Sequence, residues 1–160
     1  MRISTACCWD FQVSYFIYCA RTRLRAGFSE PIPLEMKTKF ELEYTLNTSP
    51  GILYSRLSTP EGLSEWFADN VNLKRGKYNF FWEGASQVAT VIQKKTNKYI
   101  RFRWDDEDED DPFFEFRIST QELTGDVALL ITDFAEEDEK DDAIDLWDTQ
   151  ISELKHAIGL

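Results

Sequence analysis

The chain has 160 residues, of which 42% are hydrophobic and 29% charged. That is a globular composition, in a length that suits one domain with a sizeable core. A formal net charge of −11 makes the surface repel nucleic-acid phosphates and anionic lipid head groups, and no 18-residue apolar run offers a helical membrane span.

The first 35 residues differ from the rest. They hold four arginines, no lysine and three acids, together with all three cysteines, Cys7, Cys8 and Cys19. Three readings compete for this stretch. A signal peptide needs an uninterrupted apolar run behind a basic start, followed by a small-residue cleavage site. Here Asp10 and Gln12 interrupt the run and three arginines follow it. A folded extension shows no periodicity. The composition break favours the third reading, in which Met36 is the natural start and residues 1–35 are an upstream translation artefact. The expected organisation is an unstructured extension over 1–35 and one folded domain over 36–160. The cysteines lack zinc-ligand spacing, and their absence after residue 35 suits a reducing, cytoplasmic setting.

Next, "KFELEYTL" (39–46) alternates strictly, with Phe40, Leu42, Tyr44 and Leu46 on one side, which predicts a half-buried antiparallel strand. Ser49 and Pro50 are N-cap and first-turn residues for a short helix carrying Leu53 and Leu57. Thr59 and Pro60 repeat the signal, and Leu63, Trp66 and Phe67 at spacings of three and four predict a second short helix. The period then becomes two. "KYNFFWE", "SQVATVIQKK", "NKYIRFRW", "PFFEFRIS" and "TGDVALLITDF" read as strands, within a run of about six. In the second of these, Val88 and Ile92 compete with Ala89 and Val91 for the inward face. The last strand is apolar on both faces. Ile144, Trp147, Ile151, Leu154 and Ile158 then form a 3-4-3-4 stripe. Acids lie at its start, Lys155 and His156 near its end, and Gly159 after it, which predicts a long amphipathic helix. The sum is an α+β domain: one antiparallel sheet with its helices on one face.

This order resembles the START-like, or SRPBCC, superfamily, in the branch near the bacterial relatives of the heat-shock-chaperone ATPase activator. The residues that carry the likeness are "FELEYTLNTSPGILYSRLSTPEGLSEWFAD" (40–69), with its L-x-TPE-x-L-x-x-W ending. "YIRFRW" (99–104) and "DLWDTQISELKHAIG" (145–159) add to it. The resemblance covers essentially all of 36–160. It implies the helix-grip fold, a curved antiparallel β-sheet wrapped around a long C-terminal α-helix, with two short helices after the first strand. It also implies a cavity between sheet and helix, with binding of sterols, lipids, polyketides or hormones in various branches, chaperone stimulation in another, and cyclase or hydrolase chemistry in a few.

Seven consecutive acids, Asp105 to Asp111, stand between two aromatic strands. A calcium loop needs oxygen ligands on a turning backbone, usually with glycine, and this run has none. The favoured reading is a solvated hairpin tip. A weak cation site and docking on a basic partner are the alternatives. Arg101 and Arg103 share a face with Glu115 and Arg117, so cross-strand ion pairs are expected there. His156 is the only histidine, and an exposed or capping role outweighs catalysis. Without a cysteine after residue 35, nucleophilic triads lack parts.

The remaining signal is aromatic. Tyr44, Trp66, Phe67, Phe80, Trp82, Phe102, Trp104, Phe114, Phe116 and Trp147 all fall on inward faces, with Phe40 and Tyr78 beside them. They read either as plain packed core or as the lining of a cavity whose Tyr and Trp polar ends orient a ligand. The expected function is non-enzymatic binding of a small apolar or amphipathic ligand, with no cofactor and no metal. A protein-interaction module using the acidic surface, in the manner of a chaperone regulator, is the runner-up, and a cyclase-type enzyme comes third.

Overall fold

The computed structural model describes residues 37–105 and 113–160. The expectations for residues 1–35 and for the acids Asp106 to Asp111 lie outside the described residues. The element order is β1 (Thr38–Leu46), α1 (Pro50–Ser58), α2 (Pro60–Leu63), β2 (Asn70–Lys74), β3 (Lys77–Trp82), β4 (Ala85–Lys95), β5 (Tyr99–Trp104), β6 (Phe114–Thr120), β7 (Val127–Ala135) and α3 (Lys140–Ile158). The seven strands form one antiparallel sheet in the order β1-β7-β6-β5-β4-β3-β2. Strands β2 to β7 follow one another as a meander, and β1 closes the far side against β7. This is the expected α+β arrangement, with two short helices after the first strand and a long helix at the C-terminus.

Local chemistry explains the boundaries. The Ser49 hydroxyl accepts from the Ile52 N–H at 3.3 Å, with Pro50 at the first helical position, so α1 starts where the capping residues predict. The Thr59 hydroxyl accepts from the Gly62 N–H at 3.0 Å and donates to the Ser55 carbonyl at 2.8 Å, tying the start of α2 to the end of α1. Gly62 is pressed against α1. A Cβ there would lie 2.5 Å from the Ser55 carbonyl oxygen and 2.7 Å from the Arg56 Cα. At the other end of the chain, α3 stops at Gly159, whose φ of 82° is left-handed. The Gly159 and Leu160 N–H groups bond back to the His156 and Lys155 carbonyls.

Three features depart from the sequence reading. The second short helix ends at Leu63, so Trp66 and Phe67 lie in the turn that follows it. The strand β2 carries no strong alternation, since only Val71 of its five residues is buried. It is an edge strand created by the turn that follows. Arg75 and Gly76 have φ of 53° and 81°, and Lys74 pairs with Lys77, a two-residue hairpin with both central residues left-handed. In β4 the rivalry between the two faces is resolved by a register shift between Val91 and Gln93. Ala89 faces inward and is fully buried, Val91 packs on the core, and Ile92 sits in the bulge, partly exposed.

The core lies between the sheet's inner face and the helices. Phe40, Tyr78, Phe80, Trp82, Phe102, Phe114 and Phe116 come from the strands, while α1 adds Leu53 and Leu57. The predicted stripe of α3 is buried at Trp147, Ile151 and Leu154 and packs against the core at Ile144 and Ile158. Ala143 and Gln150 are buried too, so the helix buries a wider arc than that stripe, and α1 lies against it.

Candidate functional site

The space between sheet and α3 is filled by aromatic rings. Nine of the ten predicted lining residues join one network there. Its centre is Phe67, delivered by the short turn after α2, where the Phe67 N–H bonds to the Leu63 carbonyl at 2.9 Å. Phe67 meets Phe80 edge-on at 5.2 Å and stacks on Trp147 of α3 at 6.0 Å, with the ring planes 20° apart. On the sheet side Phe102 stacks on Phe114 at 5.0 Å, and Trp104 lies 4.9 Å from Phe114. Trp66 and Trp147 both meet Phe116 edge-on, at 5.6 and 5.8 Å. These separations are those of contacting rings. Tyr44 is the tenth residue. It is half-buried on β1, at the seam with α3, and its hydroxyl donates to Asp148 Oδ1 at 2.5 Å.

The polar ends of these rings are already engaged. Trp66 Nε1 donates to the Arg56 carbonyl at 3.1 Å, Trp82 Nε1 to the Phe67 carbonyl at 3.0 Å, and Trp147 Nε1 to Asp133 Oδ2 at 2.9 Å. The Tyr78 hydroxyl donates to the Ser58 carbonyl at 2.7 Å. Burial, and then the bond to Asp148, push the Tyr44 phenol well above its usual range. The orienting role that the sequence assigns to Tyr and Trp ends therefore meets groups that hold the fold together.

One inward polar group stands differently. Gln150 of α3 is 2% exposed, and its Oε1 accepts no hydrogen bond from the described residues. Among the described residues the other buried polar side chains are Glu115 and Thr132. These two are register partners between β6 and β7 and alternate with Phe114, Phe116 and Ile131, so they face outward. Sequence reading missed Gln150 because it is polar and lies beside the apolar stripe. Its spacing, three after Trp147 and four before Leu154, is the signal that places it in the buried arc.

The outer face carries a second cluster. The Glu115 side chain is 3% exposed and lies between Arg101 Nη2 at 2.7 Å and Arg117 Nη2 at 2.8 Å, the ion pairing expected from the shared face. The Arg101 guanidinium lies over the Phe113 ring at 4.0 Å and that of Arg117 over Tyr99 at 5.2 Å. Phe113 meets Phe134 edge-on. Arg103, the cross-strand partner of Thr90, buries its Nε without an acceptor among the described residues. Asp105, the first residue of the acid run, belongs to the sheet rather than to a free tip. It accepts from Lys77 and from the Thr90 hydroxyl, and its N–H bonds to the Val88 carbonyl at 2.8 Å.

His156 is exposed on the last turn of α3. No helix among the described residues is long and apolar enough to cross a membrane.

A curved antiparallel sheet packed through aromatic rings onto one long C-terminal helix defines a helix-grip domain. The family model of the START-like superfamily domain matches residues 34–160, and the chain belongs to that superfamily. It is similar to BfR322 from Bacteroides fragilis, solved by NMR, at 45% identity and a TM-score of 0.58, covering 78% of this chain and 93% of that one. The fold is shared with the Aha1 dimer from Colwellia psychrerythraea, at 18% identity and a TM-score of 0.62, over 75% of this chain and 95% of that one. It is shared also with DynU16 of the dynemicin biosynthetic locus, at 11% identity and a TM-score of 0.64, covering 76% of this chain and 47% of that one. No curated protein matches the chain.

Proposed function

We propose that the domain is a non-enzymatic binder of a small apolar or amphipathic molecule, held between the inner face of the sheet and α3. The observation that carries this reading is the make-up of that layer. The helix meets the sheet through Trp147 and Phe67, two large rings from outside the sheet, which stack on each other and rest on the ring surface of β3 and β6. A flat apolar molecule inserted there exchanges ring–ring contacts for ring–ligand contacts of the same kind. Membership of the START-like superfamily supports the same location. The non-enzymatic part rests on the site's chemistry: its carboxylate, Asp133, is held by Trp147, and the single histidine is exposed at a helix end.

A titration with N-phenyl-1-naphthylamine, a neutral fluorescent probe, tests the proposal. Saturable one-to-one binding with quenching of the tryptophan emission is the expected result, weakened in Trp147→Ala. A full-size stability loss in Trp147→Ala with no saturable binding by the original chain overturns it. The second reading, a protein-interaction module, then takes its place. Its own support is the outer cluster, where arginines and aromatic rings share one sheet face, a composition typical of interface centres.

A further inference from the structure

The inner layer has a polarity that the aromatic lining does not explain. Every indole or phenol whose bond is described above donates to a protein acceptor. Gln150, 2% exposed, buries an inward acceptor, Oε1, without a donor among the described residues, and the Oε1 of Gln87, opposite Phe80 on the same inner face but in a half-buried side chain, is a second. An amide oxygen buried without a partner is destabilising, because its lost hydration is not replaced by a bond within the protein. An apolar side chain of the same length at that position carries no such cost. The chain keeps glutamine within the buried arc of α3, beside the apolar stripe and one turn from Trp147, the ring that meets the sheet aromatics. A buried acceptor beside a ring-lined layer is complementary to a molecule that is apolar over most of its surface and ends in one hydrogen-bond donor.

We infer that Gln150 is the polar anchor of the ligand site, and that the ligand class is an amphipathic molecule whose polar end carries a neutral donor, a hydroxyl or an N–H. The inference rests on the binding function proposed above. The Gln150 carbonyl accepts the donor, while the rings around Phe67 and Trp147 hold the apolar body. A carboxylate or phosphate end is disfavoured. It offers a second acceptor to an acceptor, and Asp133 and Asp148 stand on the same side of the sheet, bound by Trp147 and Tyr44.

The test compares 1-naphthol with 1-methoxynaphthalene, which share a ring system and differ in the donor. Both are titrated against the full chain by tryptophan quenching at pH 7, where the naphthol is neutral. The original chain is expected to bind the naphthol about tenfold more tightly, the worth of one buried hydrogen bond near the upper end of its usual range. Gln150→Met, nearly the same length and volume, is expected to bring the two affinities within about twofold while still binding the methyl ether. Its melting temperature, unchanged or higher, checks that the variant folds, and Gln150→Leu serves as a second variant. Equal affinities in the original chain overturn the anchor, as does a naphthol preference that persists in both variants. In either outcome saturable binding leaves the binding function standing. If neither probe saturates, the binding function fails and the anchor fails with it.

Discussion

The two faces of β5 and β6 are built from alternating residues of the same two short strands, yet they are held by different forces. Inward, Phe102, Phe114 and Phe116 pack ring on ring under Trp66, Phe67 and Trp147. Outward, Arg101, Glu115 and Arg117 form a triad in which one nearly buried carboxylate bridges two guanidiniums that lie over Phe113 and Tyr99. The inner face is stabilised by burial and shape, which charge screening by dilute salt leaves largely unchanged. The outer face depends on a single carboxylate. Alternation thus lets one strand pair serve a dry interior and a charged exterior at once.

The largest effect expected on this comparison is Trp147→Ala. Truncating a fully buried indole that stacks on Phe67 should lower stability by about 3–5 kcal/mol, measured by chemical denaturation. The loss should be the same at low and high salt. A loss well below that range would show that the ring borders open space rather than packed atoms, and would strengthen the ligand site.

Glu115→Ala comes next, at about 2 kcal/mol, because the charge-assisted bonds go and two guanidiniums are left facing each other. Both arginines are partly exposed, which keeps the figure below that for a fully buried pair. This loss should shrink as salt screens the residual repulsion. A salt-independent loss would mean that the outer face, too, is held mainly by its rings.

A smaller effect is expected at the seam between the faces and α3. The Tyr44 phenol titrates above its ordinary value of 10.0 in the folded chain. The unfolded chain therefore ionises first. The stability linked to Tyr44 is fully present below about pH 10 and falls as the pH rises beyond it. Tyr44→Phe should cost under about 1 kcal/mol at neutral pH and make the alkaline decline shallower, as followed by melting curves across that range. An unchanged alkaline slope would place the titration elsewhere, Tyr78 being the other tyrosine raised by burial. The smallest effect belongs to the acid run. Replacing Asp106, Asp108 and Asp110 together by Ser should leave stability equal or slightly higher, within about 0.5 kcal/mol. Calorimetry showing calcium binding by the original chain and none by the variant would contradict the solvated-tip reading.

The parts of this architecture that were legible in sequence are those where burial imposes a period. Phe40 to Leu46, Ile100 to Trp104 and Ile144 to Ile158 each display their inward face in the spacing alone, and the caps at Ser49, Thr59 and Gly159 mark their helices. What stayed hidden depends on neighbours. An edge strand with one buried residue, such as β2, has no period to show. The bulge at Ile92 exists because β4 must keep register with β5, which no window along β4 reveals. For the candidate site, strand and helix spacing points to the nine aromatics that meet in the inner layer, while Tyr44 lies half-buried at its edge. Trp66 and Trp82, with Tyr78 beside them, donate to the Arg56, Phe67 and Ser58 carbonyls, backbone groups brought near by the fold that leave no trace in residue identity. Gln150 was hidden for the opposite reason, since its identity suggests the surface while its position is interior.

The close approach at Gly62 has a consequence for anyone reshaping this domain. Its hydrogen touches the backbone of α1, and backbone cannot swing aside as a side chain does. Adding one methyl group at that position forces the two short helices apart, and the turn carrying Trp66 and Phe67 starts from the second of them. The position of the central ring relative to the sheet is thereby indexed to a single missing carbon atom. An attempt to widen or narrow the interior by substituting the rings changes what fills it, whereas a change at residue 62 moves the wall itself.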